Sequence, residues 1–227
     1  SEFVEVFKNE IEFLHTMITA TQEKNVPSPG KQAMIYFDGV ILAHCNEAEW
    51  NKFKSEHTNE AILDRIVRVN VPYCLEVDQE VKIYKKLIGR SDFDSHIAPH
   101  TLEVAAMFSV LSRLKPSNKV DPLTKMKIYN GEEIVEKGLI KKVDIRDLRE
   151  EVEDEGMTGI STRFIMKAID AALTDSDKNM ITPISIRESL IKQVKEQIVN
   201  ADERSRCLAF LQKVLHEEYL SILEKEI

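Results

Sequence analysis

Four residues carry the chemistry that this sequence can offer. Glu5 stands in Phe3-Val4-Glu5-Val6, and Asn46 follows directly on the apolar run 40–44. Arg65 closes Glu60-Ala61-Ile62-Leu63-Asp64-Arg65, and Arg163 stands in Gly159-Ile160-Ser161-Thr162-Arg163-Phe164, at a helix start. Phosphoryl transfer from ATP needs these types. A carboxylate orients or deprotonates the attacking water, and an amide at a strand tip holds that water near the γ-phosphate. Arginines neutralise the charge that spreads over the transferring group. Open α/β sheets place such ligands at the C-terminal tips of their strands.

Each residue also has a plain structural reading. Glu5 on a helical face is an ordinary surface acid, and Asn46 after a strand is a turn residue or helix cap. Arg65 beside Asp64 is half of a surface ion pair. Arg163 is the odd one, because a cation in the first turn opposes the helix dipole. Taken singly, the four do not identify a site.

The elements that must position them run from mixed to helical. Val4, Phe7, Ile11, Leu14 and Ile18 recur at helical spacing, so 2–20 reads as one helix. Pro27, Pro29 and Gly30 then break the chain. Strand-like runs follow at 32–37 and 40–44, and Asp38-Gly39 between them is a hairpin signal. The second run is apolar on both faces, like the central strand of a parallel sheet. Residues 46–59 hold the only tryptophan, Trp50, and read as a short helix and loop. Val67, Val69 and Val71 alternate with Arg68 and Asn70, which predicts a half-buried strand over 66–71 in one mainly parallel sheet with 40–44.

Beyond residue 77 the pattern is helical. Helices are expected over 78–89, 100–114 and 161–173, with Asp78 and Ser161 or Thr162 as N-caps. Residues 116–156 read as charged and irregular, and the six acids in the nine residues 147–155 as a solvated helix or loop. After a polar loop at 174–182, Leu190, Ile191, Val194 and Ile198 stripe one amphipathic helix. Leu208, Leu211, Leu215, Tyr219 and Ile222 stripe another. The fold class is α/β followed by all-α.

Composition removes several function classes. Among 227 residues, Lys+Arg is 31 and Asp+Glu is 39, a formal net charge of −8, which argues against a nucleic-acid partner. The basic groups Lys125 with Lys127, and Lys137 with Lys141 and Lys142, are followed by acids and read as solvated helix faces. Cys45, Cys74 and Cys207 have neither disulfide nor metal spacing, which fits a reduced, cytoplasmic protein. No apolar run approaches the ~20 residues of a membrane span, and the opening segment does not read as a signal peptide. The chain starts on Ser1 in a motif-like segment, so it is expected to be part of a longer protein.

The order of these segments resembles one family. Residues 37–50, Phe37-Asp38-Gly39-Val40-Ile41-Leu42-Ala43-His44-Cys45-Asn46-Glu47-Ala48-Glu49-Trp50, are similar to the sensor-1 strand of PrkA-family proteins. So are 59–65 with Val71-Pro72-Tyr73-Cys74, and Asp154-Glu155-Gly156-Met157 with Gly159-Ile160-Ser161-Thr162-Arg163-Phe164, in one collinear order over nearly the whole chain. PrkA proteins join an AAA+ module of the helix-insert type to a C-terminal domain credited with serine kinase activity.

The resemblance implies a partial AAA+ (P-loop NTPase type) core over 1–74, a helical lid over 75–175, and the start of the C-terminal domain over 176–227. It puts Glu5 at the Walker B glutamate, a pre-sensor-1 hairpin at 24–39, and Asn46 at sensor 1. Arg65 takes the place of an arginine finger and Arg163 that of sensor 2, so that Asn46 and Arg163 would also contact the nucleotide. ATP and Mg2+ are the implied cofactors, and a protein substrate and further copies of the chain the implied partners. Val4 stands where most AAA+ proteins carry a magnesium-binding Asp, and Glu2 is the nearby alternative, so the metal ligand stays open. No GxxxxGK[ST] occurs; Gly30-Lys31 is followed by Gln32, and the P-loop is expected upstream. Residues 176–227 contain no glycine loop, HRD or DFG. Three functions follow: an ATP-hydrolysing serine kinase of PrkA type, a regulatory or remodelling AAA+ ATPase without direct kinase activity, or a non-catalytic helical interaction module.

Overall fold

A computed structural model describes residues 2–28, 30, 33–90, 95–136, 139–140, 143–174 and 180–227, in two compact units, Ser1–Val69 and Asn70–Ile227. Pro29, Lys31 and Gln32, the lysines 137, 141 and 142, and most of the expected 174–182 loop lie outside the described residues.

In the first unit, β1 (Glu2–Val4) leads through a 3-10 turn at Val6–Lys8 into α1 (Ile11–Glu23). β2 (Asn25–Pro27) and β3 (Met34–Tyr36) form an antiparallel hairpin, Val26 opposite Ile35. β4 (Leu42–His44) runs parallel to β1, with Phe3 opposite Ala43 and Val4 opposite His44. α2 (Glu47–Ser55), a 3-10 turn at His57–Asn59 and α3 (Glu60–Leu63) complete the unit. Its core is small: Val6, Leu14, Phe53 and Ile62 are buried, and Phe7 stacks on Phe53 with 4.2 Å between ring centroids.

Four expectations fail here. Residues 2–20 are a strand, a turn and a helix rather than one helix, because Glu5 takes the left-handed conformation (φ 51°, ψ 48°) and interrupts the helical path. A glutamate gives no turn signal, and the strand and helix stripes happen to run on in phase. The 32–37 run pairs back onto β2, not forward across Asp38-Gly39 onto β4. Nor is 66–71 a strand: Val67, Val69 and Val71 are 89%, 75% and 81% exposed. Alternation records which side chains could face a core, but a strand also needs a neighbouring backbone to bond. Among the described residues β4 likewise pairs only with β1, and it leaves Leu42 exposed, so it is not a buried central strand.

The second unit is helical in the main. It comprises α4 (Val77–Ile88), β5 (His96–Ile97), α5 (Thr101–Arg113), α6 (Pro122–Tyr129), the hairpin of β6 (Val135–Glu136) and β7 (Leu139–Ile140), and α7 (Ile145–Glu150). α8 (Thr162–Thr174), β8 (Met180–Ile181), α9 (Pro183–Gln197) and α10 (Ala201–Ala209) follow, and a π-helical turn at Phe210–Val214 joins α10 to α11 (Leu215–Glu226). β5 and β8 pair in parallel. α5 is apolar nearly all round and forms the centre, with Ala105, Ala106, Phe108, Val110 and Leu111 wholly buried and α4, α9 and α11 packed on it. The three expected helices stand within a residue or so of their sequence limits. Ser161 caps α8 by accepting the Phe164 N–H at 3.3 Å, whereas α4 starts after Glu76, not at Asp78.

Residues 116–156 are not irregular, and their charges are not all solvated. Lys125 is wholly buried; its ammonium lies 2.6 Å from Glu155 and donates to the Lys115 carbonyl at 2.9 Å. Lys127 pairs with Glu218 at 2.7 Å. Buried charges survive only when paired and hydrogen-bonded, and the pairing partners lie too far off in sequence to be read there.

One surface contact should make stability depend on pH. His100, just ahead of α5, bonds Glu103 at 2.7 Å and Glu226 at 3.0 Å, and the Glu103 bond above all holds its pKa above the ordinary histidine value. A raised pKa stabilises the fold fully below the unfolded value, about 6.5, and the gain is lost as pH rises through the folded value. Melting temperature should therefore fall over that window in the native chain and fall less in His100→Gln, with the two curves converging at alkaline pH.

Candidate active site

The parallel pairing of β1 with β4 decides where two of the four residues lie. Glu5 is the next residue after Val4, and Asn46 the second after His44, which faces Val4 across the pair. Both therefore sit at the C-terminal end of the same two strands. A chain of contacts ties them together. Glu5 pairs with Lys8 at 2.7 Å, Lys8 reaches Glu49 at 3.5 Å, and the Glu49 N–H donates to Asn46 Oδ1 at 2.8 Å. The hydrogen bond from Lys8 holds the Glu5 carboxyl below the usual range, so it is ionised at neutral pH; Glu5 in turn raises Lys8.

Asn46 is the N-cap of α2, as its plain reading has it. Capping uses only the side-chain oxygen. Its amide nitrogen has no partner among the described residues, so cap and ligand contact are compatible roles for one side chain. Lys8 and Glu49 were missed by sequence reasoning. Their signals were faint but present: Lys8 lies three residues after Glu5, and Asn46-x-x-Glu49 has the spacing of a capping motif.

Arg65 follows α3 on the surface, and its guanidinium bonds the Ala61 carbonyl. Among the described residues it makes no ion pair with Asp64 or Glu60, so the plain reading of Arg65 does not hold. Arg163 belongs to the second unit, is exposed in the first turn of α8, and likewise has no ion pair among the described residues. The segment before it is tightly held. Gly159 has φ +116°, and a β-carbon there would lie 2.8 Å from the Arg113 Cα. Gly159→Ala should therefore destabilise the second unit by about 2 kcal/mol or more, from strain and overlap together. Gly131→Ala has a positive φ but open space, so it should cost visibly less in the same urea titration.

Nothing in the described residues gathers three or more His, Cys, Asp or Glu side chains around a metal, and Val4 presents an exposed apolar side chain where a magnesium ligand was sought. The three cysteines are free, and burial pushes the Cys207 thiol up to about 11, far from a reactive thiolate. No helix of the described residues is long and apolar enough to cross a membrane.

The family model of the PrkA AAA domain matches residues 1–121, and that of the PrkA serine protein kinase C-terminal domain matches 123–227. The chain belongs to the PrkA family. It is 38% identical over 230 residues to the "ATP-dependent protease PrkA" of Bacillus subtilis (strain 168), covering 100% of this chain and 36% of that protein. It is 38% identical over 229 residues to the "Serine/threonine kinase YeaG" of Escherichia coli (strain K12), covering 100% of this chain and 35% of that one. The chain thus spans about a third of the length of these relatives. No solved structure matches it. The two PrkA family spans meet at residues 121–123 but share one hydrophobic core: α5 lies in the first and packs against α8 and α9 of the second. Arg163 falls in the span of the C-terminal domain.

Proposed function

We propose that this chain is the part of a PrkA-type AAA+ serine protein kinase that supplies the water-activating and charge-sensing residues of its ATPase site. The observation that carries this reading is the parallel register of β1 and β4, after whose C-terminal ends Glu5 and Asn46 follow, linked through Lys8 and Glu49. Glu5, ionised at neutral pH, is the base toward the attacking water, and Asn46 orients it through its free amide. Arg163 contacts the phosphates, and Arg65 serves a neighbouring copy in an oligomer. Bound ATP would supply the phosphoryl group, with Mg2+ held by residues outside this chain or by Glu2, since Val4 offers no donor. In domain terms, 1–74 is the end of the α/β core, 75–175 the lid, and 176–227 the continuation of the C-terminal family span that opens within the lid at residue 123, in a protein that works in the cytoplasm on a protein substrate.

A second reading, a remodelling ATPase without direct kinase activity, is favoured by the protease name of one relative. Radiolabelled ATP separates the two. The full-length protein should place γ-phosphate on a protein serine, and Glu5→Gln should lower ATP turnover by about 10²-fold or more. Release of inorganic phosphate with no labelled serine, across candidate proteins co-purified with it, favours remodelling. The isolated 227-residue chain lacks a P-loop, so most phosphate contacts are missing. Calorimetry on it should detect no ATP binding in the low-micromolar range; such binding would mean that the site is misplaced.

A further inference from the structure

Arg113 ends α5, is 1% exposed, and joins three separate segments. Its Nε donates to the Ile160 carbonyl at 3.0 Å, one terminal nitrogen to the Cys74 carbonyl at 2.8 Å, and the other to Glu80 Oε1 at 2.8 Å. The guanidinium also lies over the Tyr73 ring, 4.8 Å from its centroid. The same oxygen of Glu80 accepts the hydroxyl of Thr162, the first residue of α8, at 3.2 Å. Next door, the Ile160 N–H donates to Ser112 Oγ at 2.9 Å, and the Tyr73 N–H to the Gly156 carbonyl at 2.9 Å. The chain just ahead of Arg163 is thus tied at Gly156, Ile160 and Thr162 while the Arg163 side chain stands exposed.

A buried ion pair adds little net stability over well-packed apolar residues, but its hydrogen bonds are directional and fix one geometry. The Arg113 fork is rigid and planar, so three acceptors in fixed places define where Ile160 and Thr162 must lie. The anchors also straddle the two family spans, with Glu80 and Arg113 in the AAA domain and Ile160 and Thr162 in the C-terminal domain. We propose that Arg113 and Glu80 are positioning residues for Arg163, their buried pair holding the first turn of α8 so that the Arg163 guanidinium meets the phosphates of ATP. The inference rests on the Arg163 contact proposed above and adds what holds that contact in place.

The test is a mutant cycle on the full-length protein, with turnover at saturating ATP, KM and melting temperature read for each variant. Arg113→Lys keeps the charge but loses the fork, and should lower kcat about tenfold, within the loss that a misplacement near 1 Å can cause. Thr162→Val removes only the tie to Glu80, leaves the ion pair intact, and should lower kcat severalfold with a small change in melting temperature. In the Arg163→Ala background neither change should lower kcat further. Should Arg113→Lys fail to fold, the Thr162→Val cycle carries the test unaided. Full additivity with Arg163→Ala, or lower melting temperatures with kcat unchanged, overturns the positioning role and leaves the Arg163 contact standing. Wild-type turnover in Arg163→Ala itself overturns the contact, and the positioning role with it.

Discussion

Glu5→Gln in the full-length protein should keep ATP affinity and lose hydrolysis by about 10²-fold or more, the scale expected of a positioned base. The amide is isosteric with the carboxylate but cannot accept the water proton. It also releases Lys8, whose bond to Glu5 is 2.7 Å long with both side chains more than half exposed. A surface pair of that kind contributes little to folding, so the melting temperature should hardly move. Lys8 gives the experiment its control. Lys8→Met leaves the Glu5 carboxylate in place and takes away the cation that holds its pKa down. Turnover should survive in Lys8→Met, while its acid limb shifts upward toward the ordinary glutamate range. Binding and turnover must be measured separately, since only a loss confined to turnover marks a group that acts in the transition state. Unchanged turnover in Glu5→Gln would return the residue to the surface-acid reading.

How much of this could be read in the sequence depends on how local each cause was. Helices of the second unit with a clear apolar stripe were legible because that signal is local, as where Leu190 and Val194 lie on one face and are both wholly buried, whereas α6 and α7 fell in a stretch that reads as irregular. Ser161 could be read as a cap for the same reason. Strand pairing was not legible, since a strand is specified by its partner. The same alternation that marks 66–71 as a strand leaves three valines exposed when no backbone lies beside them. The candidate site offered its residue types and order in the sequence but not its links. Glu5 and Asn46 stood out by context, yet Lys8 and Glu49, which connect them, look like ordinary surface charges. The buried pairs Arg113–Glu80 and Lys125–Glu155 were invisible, because 33 and 30 residues separate their partners. Charge in a sequence reads as surface by default, and only the fold shows which charges are enclosed.

Arg65→Ala should have the largest effect of any single change, because a finger supplied in trans can contribute about 10³–10⁵ in rate. The structure removes one objection to that role. An arginine locked in a salt bridge would have to break it to reach another subunit, but Arg65 is exposed and, among the described residues, its guanidinium bonds only the Ala61 carbonyl one turn behind it. Moving it to a phosphate exchanges a bond to a neutral carbonyl for one between opposite charges. A trans role also demands heterologous, head-to-tail packing, which closes into rings. That demand makes the proposal testable by mixing. Arg65→Ala subunits lack the finger but keep Glu5, and Glu5→Gln subunits lack the base but keep the finger. At a mixed interface the Glu5 of one copy and the Arg65 of the next complete one intact site, so hydrolysis should return when two inactive proteins are combined. A cis role predicts no recovery, since every subunit then carries one broken site. Full activity of Arg65→Ala alone, or no recovery once mass spectrometry shows mixed assemblies, rules out the trans finger.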